Sequence, residues 1–186
     1  MTASTAPSPK TALLIIDVQT ALCSGEYEVF ESGRILRHIN QLSAQARSAG
    51  VPVVVIQHEE PGSPMAYGQA GWQLAPGLQV QPTDLKVRKT VPDAFHHTEL
   101  QALLQTHGIE RLVICGMQTE FCVESTTRRA LELGYPVTLV SDAHSTRHNG
   151  VLTPEQIIAH HNATLGNMDC NGVRVRLVPT AEVGMG

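Results

Sequence analysis

LVICGMQTEFCV, at residues 112–123, is the segment that most constrains the architecture. Its apolar first half is typical of a buried strand that ends at Gly116, and residues 124–133 continue with helical spacing. We expect Thr119 to cap this helix, which would place Cys122 in the first turn, where unpaired N–H groups and the helix dipole favour an anion. A cysteine there is biased toward the nucleophilic thiolate. Cys122 is therefore a candidate nucleophile, although most free cysteines are simply small buried hydrophobic residues.

Two further polar residues follow apolar, strand-like runs. Asp17 ends the run at 11–16, and Lys89 ends a short strand at 85–89. The carboxyl ends of parallel strands meet at one edge of a sheet, where open α/β sheets bind their ligands. A base, a cation and a nucleophile would then lie together with Cys122. Each has a simpler interpretation, Asp17 as a turn or helix cap and Lys89 as one more solvated charge on its strand.

The rest of the chain alternates between strand-like and helical patterns. Strand-like runs fall near 11–17, 52–57, 85–89, 111–115, 136–140 and 173–178, and helical patterns near 33–49, 97–107, 120–133 and 153–165. Gly50, Gly108 and Gly134 each follow a helical pattern, as helix C-caps do. Thr153 begins the last helix as its N-cap, with Pro next and Gln at the third helical position. This alternation predicts an α/β fold with a parallel sheet covered on both faces.

Composition limits the classes of protein to which the chain can belong. The 186 residues suffice for one full core, and 42% hydrophobic with 16% charged residues is ordinary for a globular protein. We expect a single domain at 10–186 after a flexible leader at 1–9. A net charge of −4 without any basic block argues against nucleic acid or a membrane as partner. The four cysteines form no CxxC pair, which fits a reduced, cytoplasmic setting.

The chain resembles the isochorismatase-like cysteine hydrolases, which include nicotinamidases and N-carbamoyl amidohydrolases. The resemblance covers roughly residues 10–178. It is carried by LIIDVQ at 14–19, Lys89, AF at 94–95, TEL at 98–100, GMQTEFCV at 116–123, RA at 129–130, GY at 134–135 and VSDA at 140–143. It implies a Rossmann-like, three-layer α/β/α fold with a mostly parallel sheet of about six strands. The first and fourth strands would be adjacent in the middle. It also implies a homodimer or homotetramer.

The resemblance implies a mechanism for a small amide-like substrate. Asp17 would accept the proton of Cys122, whose thiolate attacks the carbonyl carbon to form a thioester, while Lys89 stabilises negative charge. Backbone N–H groups of Gln118 and Cys122 would form the oxyanion hole. Family members often have a cis peptide in this turn, here between Met117 and Gln118.

Substrate contacts are expected around a long segment without a regular pattern. Residues 58–82 are rich in Gly, Pro and Gln, and a loop of that length is usually functional or disordered. We interpret it as a lid or pocket wall, with a surface excursion or subunit contact as the alternative. Trp72 within it, Phe95, and to a lesser degree Gln19 near the site are the candidate substrate-binding residues.

The chain departs from the nicotinamidases where those enzymes bind a metal. They carry an Asp-x-His pair after the second strand, whereas here His58 replaces the aspartate and Glu60 the histidine. We therefore expect no metal, no other cofactor and no nicotinamidase activity. His58 with Glu59 or Glu60 is the weaker metal-binding alternative. His144 and His148 are four apart, a spacing that suits a ligand pair only in a helix, and a loop is expected there.

Three other functions stay open beside hydrolysis of a C–N bond. The first is isochorismatase-type cleavage of a vinyl ether, but relatives that do this can lack the cysteine at the position of Cys122. The second is a non-catalytic binding or assembly role, which gives no chemical reason to keep a thiol beside a base and a cation. The third is thiol-redox chemistry, which the lack of a CxxC pair argues against.

Overall fold

A seven-stranded, mostly parallel sheet forms the centre of the molecule. The structure, a computed structural model, describes residues 10–170 and 172–185, so the expected leader at 1–9 lies outside the described residues. The strands are β1 (Thr11–Ile16), β2 (Val53–His58), β3 (Leu85–Lys89), β4 (Arg111–Met117), β5 (Val137–Ser145), β6 (Asp169–Cys170) and β7 (Val173–Val178). Their order is β3-β2-β1-β4-β5-β7-β6, and only the β6–β7 pair is antiparallel. The predicted α/β fold with β1 and β4 adjacent is confirmed, with short β6 as the addition.

Helices cover both faces of the sheet. They are α1 (Thr20–Cys23), α2 (Ser32–Ser48), α3 (Leu100–Thr106), α4 (Glu124–Glu132) and α5 (Pro154–Gly166), with 3-10 turns at Gly25–Tyr27 and Thr180–Glu182. The capping box predicted at Thr153 is present, because its side chain accepts from the Gln156 N–H and the Gln156 side chain accepts in return. The helix predicted at 97–107 is shorter than expected. The first part of the helix predicted at 120–133 is instead a π-helical turn, Thr119–Val123, and α4 follows it directly.

Strand β1 explains why the middle of the sheet is so apolar. All six of its residues are buried, since a parallel strand covered on both faces must be apolar throughout. Leu14 and Ile16 pack into the core that α3, α4 and α5 cover. Leu13 and Ile15 pack into the core that α2 covers on the other face. Two cores therefore hold the sheet rigidly between its helix layers.

Gly116 allows β1 and β4 to approach each other just below the candidate site. Its φ is +125°, and a Cβ there would lie 2.1 Å from the backbone oxygen of Ile16. Only glycine combines that backbone conformation with that contact. The next residue after Ile16 is Asp17, itself at a φ of +53°, so this close approach sets where its carboxylate lies.

Among the residues that the structure describes, there is no helix both long and apolar enough to span a membrane.

Candidate active site

The three predicted site residues come together at the carboxyl edge of the sheet. The buried Lys89 Nζ donates a hydrogen bond of 2.7 Å to Asp17 Oδ2 and lies 3.1 Å from Cys122 Sγ. The Lys89 and Asp17 side chains are 0% and 1% exposed. A buried ammonium and carboxylate are stable only when paired, and here each is the partner of the other. The structure thus brings a base, a cation and a thiol into contact.

Electrostatics set the resting charges of the three groups. Burial alone would lower the pKa of Lys89, but the negative charge of Asp17 and the contacts with Asp17 and Cys122 outweigh it, so the net shift of the Lys89 pKa is upward. Lys89 is therefore an ammonium. Burial, followed by the negative charge of Asp17, raises the pKa of the Cys122 thiol, and Lys89 only partly opposes this. The expected bias toward a resting thiolate is wrong, and the resting pair is a thiol beside a carboxylate.

The turn that carries Cys122 differs from the predicted helix start. Its N-cap is Gln118, which makes no side-chain capping bond, and Thr119 does not cap the helix. The Met117–Gln118 peptide is cis, as the resemblance implied. Gln118 and Cys122 both line the adjoining cavity, and the oxyanion role of their N–H groups stays a prediction.

Thr119 instead joins a buried network that sequence reasoning missed. Its hydroxyl is 2.9 Å from His144 Nδ1, and His144 Nε2 is 3.0 Å from Asn162 Oδ1. Asn162 Nδ2 donates to the Ser141 carbonyl, which leaves Asn162 Oδ1 to accept from His144 Nε2–H. His144 Nδ1 then accepts from Thr119. Burial lowers the pKa of His144 to about 4, so the imidazole is neutral.

The reason for the miss is the local structure around His144. It lies in β5, 25 residues from Thr119, and not in the loop expected there. In the sequence, the four-residue spacing of His144 and His148 matches a metal-binding pattern, and nothing in it points to Thr119. The contact with Thr119 depends on the β4–β5 register, in which Gly116 pairs with His144, and a strand pattern alone does not supply that register.

His58 is the additional polar side chain at the centre of the site. Its Nδ1 lies 3.2 Å from Lys89 Nζ, and one donor atom each from Asp17, His58 and Cys122 lie within 4.8 Å of one another. Such a donor set can suit a divalent cation. Here, however, the Lys89 ammonium contacts all three groups and occupies the space between them. Among the described residues, neither Glu59 nor Glu60 joins the donor set of Asp17, His58 and Cys122.

A cavity of about 400 Å³ opens onto Asp17 and Cys122. Its other lining residues are Leu22, His58, Glu60, Pro61, Met65, Thr90, Val91, Pro92, Gln118 and Phe121. Part of the 58–82 segment therefore forms a wall of this cavity, as the pocket-wall interpretation predicted. A small substrate with one apolar side would fit such a lining.

The three candidate substrate-binding residues do not line this cavity. Gln19 is fully buried, donates to the carbonyls of His58 and Trp72 at 2.9 Å each, and accepts from the His58 N–H. It therefore anchors the 58–82 segment to the sheet. Trp72 packs edge-on against Tyr67 at 4.8 Å, and Phe95 stacks on Tyr135 at 6.2 Å. Contact of Gln19, Trp72 or Phe95 with substrate stays a prediction. The residues that line the cavity do not support it.

Comparison with known proteins gives one consistent result. The family model described as the isochorismatase domain matches residues 11–175. Streptothricin hydrolase of Streptomyces noursei is 45% identical over 136 residues, which cover 73% of this chain and 49% of that protein. Ureidoacrylate amidohydrolase of Pseudomonas savastanoi pv. phaseolicola is 30% identical over 171 residues, which cover 72% of this chain and 70% of that protein. The chain spans about half the length of the streptothricin hydrolase.

A solved structure agrees with these sequence matches. The crystal structure of an isochorismatase family protein superposes with a TM-score of 0.82 at 37% identity, covering 89% of this chain and 97% of that chain. The family that the sequence resembles, and the fold implied by that resemblance, are confirmed. The names of the two relatives are those of hydrolases, in agreement with the predicted class of enzyme.

Proposed function

This chain belongs to the isochorismatase family, and we propose that it is a cysteine hydrolase that cleaves a C–N bond of a small amide or N-carbamoyl substrate. The observation that carries the proposal is the contact of one buried ammonium, Lys89, with both the Asp17 carboxylate and the Cys122 sulfur. A base and a thiol held by a shared cation are the parts that acyl transfer to sulfur requires.

The first half of the reaction begins from the neutral thiol. Because the pKa of Cys122 is raised in the resting site, Asp17 takes the thiol proton as Sγ attacks the substrate carbonyl carbon. A C–S bond forms and the carbonyl electron pair moves onto oxygen. Lys89 stabilises the negative charge that passes through the site, and the N–H groups of Gln118 and Cys122 hold the oxyanion.

The second half returns every group to its starting state. The C–N bond breaks with the proton from Asp17 going to the leaving nitrogen, which departs as ammonia or an amine and leaves a thioester on Cys122. Asp17 then takes a proton from water, whose oxygen attacks the thioester carbon. The C–S bond breaks, the acid is released, and Cys122 recovers its proton.

Vinyl-ether cleavage and a non-catalytic role are the alternatives. Neither requires a thiol in contact with both a carboxylate and an ammonium, and Cys122 makes that contact while lining the cavity. These features favour thiol-based hydrolysis over the other two functions.

The test is release of ammonia or amine from a panel of small amides and N-carbamoyl compounds. The panel includes streptothricin and ureidoacrylate, on which the relatives act according to their names. Cys122→Ala is expected to abolish turnover. Cys115→Ala is the matched control, because Cys115 is a fully buried cysteine within β4 that does not line the cavity, and its replacement should leave turnover unchanged. Retention of turnover in Cys122→Ala, or silence of the wild type on the whole panel, would refute the proposal.

The proposal includes a homodimer or homotetramer in a reducing, cytoplasmic setting. The exposed Phe121, half-accessible beside Cys122 at the mouth of the cavity, supports a neighbouring subunit there. The proposed chemistry also needs a free thiol, which a reducing compartment preserves. Light scattering of the purified protein checks the assembly, and a monomer at micromolar concentration would contradict it.

A further inference from the structure

One wall of the cavity beside Cys122 is formed by residues 90–92, the wall loop, which follow β3 directly. All three residues of this loop line the cavity. The carbonyl of Val91, in the middle of the loop, accepts a hydrogen bond of 3.3 Å from Lys89 Nζ. The position of the wall loop therefore affects both the space that a substrate fills and the surroundings of the proposed catalytic cation.

One buried threonine of α4 bonds the wall loop and the residue that follows it closely in the chain. The hydroxyl of Thr126 donates to the Pro92 carbonyl at 3.4 Å and accepts from the Ala94 N–H at 3.1 Å. A hydroxyl has one proton to donate and lone pairs with which to accept, so both bonds can form at once. Thr126 and Ala94 are both 0% exposed, so water has no ready access to replace the hydroxyl.

Ala94 is a fixed point at one end of the wall loop. Its N–H is bonded to Thr126, and its carbonyl accepts from the Thr98 hydroxyl at 2.6 Å. At the other end, Lys89 is the last residue of β3, which is paired with β2. Residues 90–92 thus connect two anchored positions, one in the sheet and one held by α4.

Thr126 lies four residues after Cys122 in one continuous helical segment. The π-helical turn Thr119–Val123 runs directly into α4, which begins at Glu124. A threonine inside a helix commonly bonds a carbonyl three or four residues earlier in its own helix. In the structure, the hydrogen bonds of the Thr126 hydroxyl go to the wall loop and its anchor. They join the segment that carries the proposed nucleophile to a wall of the same cavity.

We propose that Thr126 is a positioning residue that sets how far the wall loop lies from the Cys122 sulfur, and thereby the width of the substrate cavity. Thr126 does not itself line the cavity, and it acts through Pro92 and Ala94. This inference rests on the proposed function, to which it adds a residue outside the cavity that controls substrate binding.

Replacing Thr126 by valine removes the hydroxyl and keeps the branched shape of the side chain. The bonds to Pro92 and Ala94 are then lost, so the wall loop can move away from α4 and its contacts with a substrate weaken. For a panel compound that the wild type hydrolyses, KM should rise about 3- to 10-fold, the effect of one neutral hydrogen bond. Thr126→Ser retains the hydroxyl and should bring KM most of the way back to the wild-type value.

Thr127→Val is the matched control. Thr127 is the next residue of α4 and is equally buried, but its hydroxyl has no hydrogen-bond partner among the described residues. Its replacement should leave KM unchanged. A substitution that only reduces the fraction of folded enzyme lowers the apparent kcat and not KM, so a rise in KM separates positioning from lost stability. An unchanged KM in Thr126→Val, or an equal rise in Thr127→Val, would overturn the inference while leaving the proposed function intact.

Hydrogen exchange of the Ala94 amide is a second readout, which does not depend on turnover. This amide should be protected in the wild type, because it is buried and bonded to Thr126. Relative to the amides of β1, its exchange should become at least about 10-fold faster in Thr126→Val and stay unchanged in Thr127→Val. Equal protection in Thr126→Val and the wild type would overturn the inference even if no panel compound were hydrolysed, an outcome that by itself would refute the proposed function.

Discussion

Replacing Thr119 by valine tests whether the His144 network supports the turn that carries Cys122. Valine preserves the β-branched shape and removes only the hydroxyl. Thr119 is fully buried, and its hydroxyl bonds His144 Nδ1 at 2.9 Å. The substitution therefore leaves a buried imidazole nitrogen without its donor, since the other nitrogen is already bonded to Asn162.

The expected loss of stability follows from that unpaired atom. Leaving a buried acceptor unsatisfied costs about 1–3 kcal/mol. A loss near the middle of this range, ~2 kcal/mol, lowers Tm by roughly 4–8 °C in a domain of this size. Because Thr119 is three residues before Cys122 in the same π-helical turn, turnover should also fall, through displacement of the nucleophile.

Thr127→Val is a closely matched control. Thr127 is equally buried, but its hydroxyl has no hydrogen-bond partner. Removing an unpaired buried hydroxyl should leave the free energy of unfolding unchanged or raise it by up to ~1 kcal/mol. Urea unfolding of both variants measures the two values side by side. Equal losses of stability would refute the reasoning, because they would show that burial of the residue, and not its hydrogen bond, sets the cost.

Three further predictions concern groups around the site. Burial lowers the pKa of His144 in the folded state to about 4, below its ordinary 6.5. The unfolded state therefore binds more protons, and the free energy of unfolding should fall by ~3 kcal/mol as the pH drops from above 6.5 to 4. Urea unfolding at pH 7.5 and 4.5 should show a smaller fall for His144→Gln than for the wild type. Gly116→Ala should give no stable protein, because its Cβ would lie 2.1 Å from the backbone oxygen of Ile16. Gly134 is also at positive φ but faces open space, so Gly134→Ala should lower the free energy of unfolding by only about 1–3 kcal/mol. Soluble yield and thermal melts of the two variants check this. Lys89→Met should lower the free energy of unfolding by ~3–5 kcal/mol, because it leaves Asp17 buried without its partner. Adding Asp17→Asn should restore part of this loss. Chemical denaturation that finds the double variant no more stable than Lys89→Met would contradict the prediction.

The sequence was sufficient to predict the sheet and the meeting of Asp17, Lys89 and Cys122. Continuous apolar runs mark buried parallel strands, and residues that follow such strands must share one edge of the sheet. Those two rules need no knowledge of side-chain contacts. The strand order and the cis peptide came from the family resemblance, and both are present in the structure.

The features that were missed all depend on contacts distant in sequence. Thr119 was expected to bond its own helix, and its partner is instead His144, on the neighbouring strand. The thiolate bias was inferred from helix geometry, and the raised pKa of Cys122 follows from burial and from Asp17. Gln19 is a predicted substrate contact, whereas in the structure its amide is hydrogen-bonded to the backbone carbonyls of His58 and Trp72. Local pattern gives the position of a residue, whereas its partners depend on the register between strands.

The position of Lys89 explains how a raised thiol pKa is compatible with a nucleophilic role. Lys89 is paired with Asp17, and burial, followed by the negative charge of Asp17, raises the pKa of Cys122 and keeps its thiol protonated at rest. A thiol that is protonated and largely enclosed is slow to oxidise or alkylate, because those reactions follow thiolate character and exposure. In the proposed mechanism, the base that disfavours the thiolate at rest is also the group that accepts its proton when a carbonyl carbon comes within reach. Once Asp17 is neutral, Lys89 would be the remaining charge next to sulfur, and it would stabilise the developing anion without competition from a carboxylate. The proposed mechanism thus gives one buried cation a part in both states of the site, the protected thiol before the substrate binds and the attacking sulfur afterwards.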